Sequence, residues 1–131
     1  MATLHNSVLI DAAPASIWDA VRDIGALHTR LVPGFVVDTK LDGDARIVTF
    51  GNGLVARERI ISSDDERRRL AWNAEGGQTK HYNAVLQIFA HGSGSRVEWT
   101  TDLLPHEMAK PVQAMQEQAL ATMKRTLESG R

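Results

Sequence analysis

Leu54-Val55-Ala56-Arg57-Glu58-Arg59-Ile60-Ile61 is the stretch that decides the fold. Successive side chains on a strand point to opposite faces. With Arg57 and Arg59 facing water, Ala56, Glu58 and Ile60 must face the other way. An ionised carboxylate in a dry core is very costly. A strand that turns Glu58 inward therefore predicts an interior that holds water or a ligand. The other readings of Glu58 are an ion pair with a basic neighbour, or an outward swing caused by a bulge.

Alternation continues downstream. Strands are predicted at Arg67 to Ala74, Lys80 to Ala90 and Arg96 to Leu103. Leu70, Trp72 and Ala74 share one face of the first. Tyr82, Ala84, Leu86 and Ile88 share one face of the second, against outward His81, Asn83 and Gln87. Val97, Trp99 and Thr101 point inward on the third. Turns are predicted at Ser62 to Glu66, at Gly76-Gly77 and, loosely, over Gly92-Ser93-Gly94-Ser95.

Upstream, Thr3 to Ile10 reads as a strand. Asp11-Ala12-Ala13-Pro14 is a helix start with proline near the first helical position. A short helix is expected over Ala15 to Asp23, and a further helical turn over Ala26 to Leu31. Pro33-Gly34 turns the chain into a strand from Phe35 to Leu41. Asp42-Gly43-Asp44 marks a hairpin leading to Arg46 to Phe50. At the far end Met108, Val112, Met115, Ala119, Met123 and Leu127 recur at steps of three and four, the stripe of an amphipathic helix. Gln116, Glu117, Lys124, Arg125 and Glu128 are assigned to its wet face.

The chain has 131 residues, which predicts one domain, 1–131. Its 15 basic and 16 acidic residues give a net charge of -1, so no basic surplus points to nucleic acid or an anionic membrane. Cysteine is absent, which excludes disulfides and thiolate metal sites and is compatible with a cytoplasmic location. No secretory leader is visible, and no apolar run approaches the ~20 residues of a membrane span. The five histidines show no i, i+4 or His-Glu-x-x-His spacing, so no metal site is expected. There is neither a Gly-x-Ser-x-Gly elbow nor a phosphate loop.

The order of elements, with Ile10-Asp11-Ala12-Ala13-Pro14-Ala15-Ser16-Ile17-Trp18, Leu41-Asp42-Gly43-Asp44-Ala45-Arg46, Asn52 to Ile60, Asp64 to Leu70, Gly76-Gly77 with Tyr82, and Gly94-Ser95-Arg96-Val97-Glu98-Trp99, resembles the START-like superfamily. Its polyketide cyclase/dehydrase and lipid transport branch is the most similar. The resemblance implies an α+β helix-grip fold. In it a curved antiparallel sheet of about seven strands wraps a long C-terminal helix, with two short helices between strands 1 and 2. It also implies a cavity for lipids, polyketides or other hydrophobic molecules. The abscisic acid receptors of plants are similar in two places. Their gate loop, Ser-Gly-Leu-Pro, compares with Asn52-Gly53-Leu54-Val55, and their latch glycines with Gly76-Gly77. Glu58 matches a cavity glutamate of those receptors that reaches ligand through water. Val55 replaces the gate proline and no lysine aligns with their ligand anchor, so hormone reception does not carry over.

Candidate ligand-binding residues follow. Glu58 and Tyr82 are the polar groups, and the candidates for acid-base work if the protein is an enzyme. Tyr82 reads equally as a core tyrosine with its hydroxyl at the surface. Trp72 and Trp99 form an aromatic wall or fill the core. Leu54, Ala56, Ala84 and Leu86 supply apolar wall. Met108, Met115 and Met123 suit a soft pocket, although ordinary core filling is their commoner use. Val48 and Phe50 join on the resemblance alone. The expected function is binding of a small hydrophobic molecule, lipid-, polyketide- or isoprenoid-like, without cofactor, by a monomer or weak homodimer. A cyclase or dehydratase using Glu58 as general acid or base stands second, and a protein-interaction module third.

Overall fold

Seven antiparallel strands form one curved sheet in the computed structural model of the chain, which describes residues 1–129. They are β1 (Ala2–Ile10), β2 (Val36–Asp42), β3 (Ala45–Phe50), β4 (Val55–Asp64), β5 (Arg69–Glu75), β6 (His81–His91) and β7 (Gly94–Leu104). Their spatial order is β1-β7-β6-β5-β4-β3-β2. All neighbours but β1 and β7 are hairpin partners, so most of the sheet is built from local pairing. Helix α1 (Pro14–Arg22), a 3₁₀ turn (Ile24–Ala26) and a π-helical turn (Leu27–Leu31) connect β1 to β2. Helix α2 (Ala109–Ser129) closes the chain after a 3₁₀ turn at His106–Met108.

Pro14 starts α1 at a position where its missing N–H costs nothing. Ile17, Trp18, Ala20 and Val21 are the buried face. They join β-strand residues such as Val36, Val48, Ile88 and Val97 in the main apolar core. A smaller cluster of Ala2, Leu103 and Val112 lies where α2 begins. Val112, Ala119 and Met123 of the expected stripe of α2 are buried, and Leu120 is buried beside them.

Three sequence readings are corrected. Strand β4 does not end at Ile61. The register shifts between Ile60 and Ser62, an irregularity that absorbs one residue and leaves Ile61 55% exposed. The strand then runs on to Asp64, so the turn falls at 65–68, with Arg68 at φ 51. Asp64 holds this turn by accepting the Arg67 backbone N–H at 3.0 Å. Second, β6 and β7 are joined by a tight turn rather than a loose one: His91 pairs with Gly94, and Gly92 takes φ 58. Third, Gln116 is not on the wet face of α2. It is 1% exposed, because the helix crosses the polar side chains of Asn6, Tyr82 and Thr101 at that point.

Candidate functional site

Between the inner face of the sheet and α2 lies a hollow of about 430 Å³. It borders both apolar clusters. Its mouth is set by the turn after β3 and the turn after β5, which bring Asn52, Leu54, Gly76, Gly77 and Gln78 to the wall. The start of α2 contributes Pro111 and Val112.

Each residue predicted for the site can be located. Phe50, Leu54, Ala56 and Glu58 line the hollow from β3, β4 and the turn between them. Trp72, Tyr82, Leu86 and Trp99 line it from β5, β6 and β7, and Met108, Met115 and Met123 from the helical side. Met108 belongs to the 3₁₀ turn ahead of α2 rather than to the helix itself. Val48 and Ala84 do not reach the wall. Val48 is fully enclosed in the main core. Ala84 lies directly opposite Trp72 and is buried in the main core. His28 is also away from the wall, with Nδ1 3.1 Å from Thr39 Oγ1.

Two buried polar wall residues were missed, as were apolar wall residues such as Leu27, Leu31 and Val32 from the connection between β1 and β2. Arg46 sits directly across from Glu58 on β3. Its Nε donates to Glu58 Oε1 at 2.8 Å, and its Nη1 donates to the Ile24 carbonyl at 3.3 Å. The pair is buried, Arg46 at 3% and Glu58 at 7% exposure. The guanidinium also lies 5.8 Å from the Trp72 ring centroid, within range of a cation–π contact. So Glu58 points inward and is also paired with a basic neighbour, which unites two separate readings of the sequence. Glu58 Oε2 has no hydrogen-bond partner among the described residues.

Gln116 is the second. Its Nε2 donates to the Tyr82 hydroxyl at 3.1 Å and to Thr101 Oγ1 at 2.8 Å. Its Oε1 accepts from Asn6 Nδ2 at 2.8 Å. Asn6 in turn accepts from Gln113 Nε2 at 2.5 Å, and Gln113 donates to Glu117 Oε1 at 2.7 Å. This polar seam fixes α2 over β1, β6 and β7 and runs from the hollow to the surface. Burial pushes the Tyr82 phenol up to about 12, with the nearby Glu58 charge adding to the shift and Gln116 opposing it. Tyr82 therefore keeps its proton at neutral pH. Gln116 donates to its oxygen, and the Thr101 hydroxyl lies close enough to lower the shift further.

Trp72 and Trp99 pack at 5.9 Å between centroids, tilted by 50°. Both indole N–H groups are buried without a partner among the described residues. The described residues contain no group of three or more His, Cys, Asp or Glu side chains able to hold a metal ion. They also contain no helix long and apolar enough to cross a membrane.

The family model described as polyketide cyclase / dehydrase and lipid transport matches residues 1–128. The chain is similar to the protein XoxI from Bacillus cereus, at 20% identity and TM-score 0.86 over 97% of this chain and 96% of that one. A START superfamily protein from Mycobacterium smegmatis shares 12% identity with TM-score 0.81, over 98% of this chain and 99% of its own. The di-domain ARO/CYC protein BexL of the BE-7585A biosynthetic pathway shares 14% identity with TM-score 0.83. That likeness covers 98% of this chain and 47% of BexL. At these identities the likenesses establish a common fold. No curated protein matches the chain.

Proposed function

The chain belongs to the polyketide cyclase / dehydrase and lipid transport family, and on that premise we propose that it binds a small hydrophobic molecule, lipid-, polyketide- or isoprenoid-like, between sheet and helix. The observation that carries this reading is the hollow itself. Its roughly 430 Å³ falls within the size range of small-molecule sites, and its wall is mostly apolar with a few placed polar groups.

The enzyme reading needs a group poised to take up and return a proton near neutral pH. Glu58 is engaged by Arg46, and Tyr82 holds its proton up to about 12. Neither arrangement favours proton shuttling, so binding stands ahead of cyclase or dehydratase chemistry.

The test uses N-phenyl-1-naphthylamine, an uncharged apolar fluorophore, on the whole chain. The wild type should enhance its emission with saturable, one-site behaviour. Ala56→Trp, which fills the hollow from its wall, should abolish that enhancement while the circular dichroism spectrum is retained. Equal binding by the filled variant would refute the reading. Native mass spectrometry of freshly purified protein would supply the mass of any molecule that travels with it.

A further inference from the structure

We infer that the hollow selects uncharged ligands carrying a hydroxyl group, of the phenol, enol or alcohol class, and discriminates against carboxylates. This rests on the binding reading above. The charge balance of the wall is its first support. Arg46 and Glu58 are its charged lining residues, and they neutralise each other at 2.8 Å. A carboxylate entering the hollow finds a guanidinium already compensated and a second carboxylate beside it. An uncompensated anion in such surroundings is strongly disfavoured.

The second support is a charged acceptor position left open on the wall. Glu58 Oε2 accepts from no group among the described residues, so a ligand O–H has a charged acceptor there. Charged acceptors make the stronger hydrogen bonds. The Tyr82 hydroxyl, held by Gln116 at 3.1 Å, is a further polar atom of the same wall. A ligand hydroxyl answers the Glu58 acceptor, whereas an ether or hydrocarbon leaves it unanswered. Sites built to bond a hydroxyl reject analogues that lack it far more strongly than apolar pockets distinguish shapes. The apolar remainder of the wall then accepts the ligand body.

Displacement of N-phenyl-1-naphthylamine by three probes of similar size tests this at neutral pH. 2-Naphthol should bind at least about tenfold more tightly than 2-methoxynaphthalene and than 2-naphthoate, a gap of one charged hydrogen bond. In Tyr82→Phe, which keeps the Glu58 acceptor, the advantage of naphthol over methoxynaphthalene should persist. In Glu58→Gln, which leaves Arg46 uncompensated, naphthoate should gain at least about tenfold relative to naphthol. The wild-type comparison does not depend on either variant folding. If methoxynaphthalene or naphthoate displaces the fluorophore as well as naphthol does, hydroxyl selection is refuted and apolar binding survives. If the fluorophore itself fails to bind, both readings fall together.

Discussion

Removing one member of the Arg46–Glu58 pair should expose how the hollow is held. In Arg46→Met the carboxylate of Glu58, only 7% exposed, loses its partner at 2.8 Å. Deleting one partner of a buried pair costs about 3–5 kcal/mol, because the other charge stays buried and unpaired. Glu58 borders a hollow, and water there takes over part of its solvation, so the loss should lie at the low end, about 3 kcal/mol. Arg46→Met also removes the contact with the Trp72 ring, a further ~1 kcal/mol at most. Glu58→Gln keeps an acceptor for Arg46 and should cost less, about 2 kcal/mol. The double variant buries no unpaired charge and should cost little more than the milder single change. Its non-additivity should exceed roughly 2 kcal/mol. Urea unfolding followed by far-ultraviolet circular dichroism measures all four proteins without relying on Trp72 as reporter. Single losses below ~1 kcal/mol with an additive double variant would refute this reasoning. They would mean that water in the hollow solvates both groups and the pair adds nothing.

Tyr82 is the only tyrosine, so tyrosinate absorbance reports it alone; its midpoint should lie at about 12 instead of the ordinary 10. Because the folded value is the higher one, the associated stability is complete below about pH 10 and is lost as pH rises towards about 12. Tyr82→Phe should remove that part of the alkaline decline, on the order of 2 kcal/mol, and a midpoint at 10 would show a phenol in contact with bulk water. Gln116→Leu strands the Tyr82, Thr101 and Asn6 partners of one amide and should cost about 1–3 kcal/mol by urea unfolding; a neutral outcome would show that the seam does not hold α2. Gly51→Ala places a Cβ 2.5 Å from the Gly34 carbonyl oxygen, a backbone atom that cannot swing aside. The two loops must part and weaken the Gly51 N–H to Phe35 carbonyl bond, so a loss of about 1–3 kcal/mol is expected in the same assay, and unchanged stability would show that this approach is not fixed.

The fold was legible because its signals are local. Alternation from Leu54 to Ile60 gave the inward face of β4, and that of β6 gave the face bearing Tyr82 and Leu86. Glycine turns separated the strands, and the three-and-four spacing from Val112 to Met123 gave α2. What went astray was register. A shift between Ile60 and Ser62 leaves no composition signal, since Ser62 and Ser63 suit a turn as well as a strand. It moved the following turn to 65–68, so the position of the irregularity was set by pairing with β5 and not by the residues of β4 alone.

The two buried polar wall residues that were missed share one physical origin. Arg46 and Gln116 occupy positions that the patterns themselves marked as inward. Arg46 alternates with Val48 and Phe50, and stepping back from Thr49 opposite Val55 sets it opposite Glu58. Gln116 follows Val112 by four residues and precedes Leu120 by four, on the buried side of α2. In both cases side-chain polarity and position in the pattern point opposite ways. The structure resolves that conflict by pairing: the arginine answers the inward glutamate, and the glutamine answers Tyr82, Thr101 and Asn6. Buried polar groups occur where partners await them. One inward carboxylate on β4 is therefore already a reason to look for a cation at the facing position of β3, and an inward tyrosine on β6 a reason to look for an amide on the helix that crosses it. Read in that way, Glu58 and Tyr82 are not two isolated contacts. The first ties β4 to Arg46 of β3 and, through it, to the Ile24 carbonyl. The second ties β6 to Gln116 of α2, so one wall carries a polar bond within the sheet and another between sheet and helix.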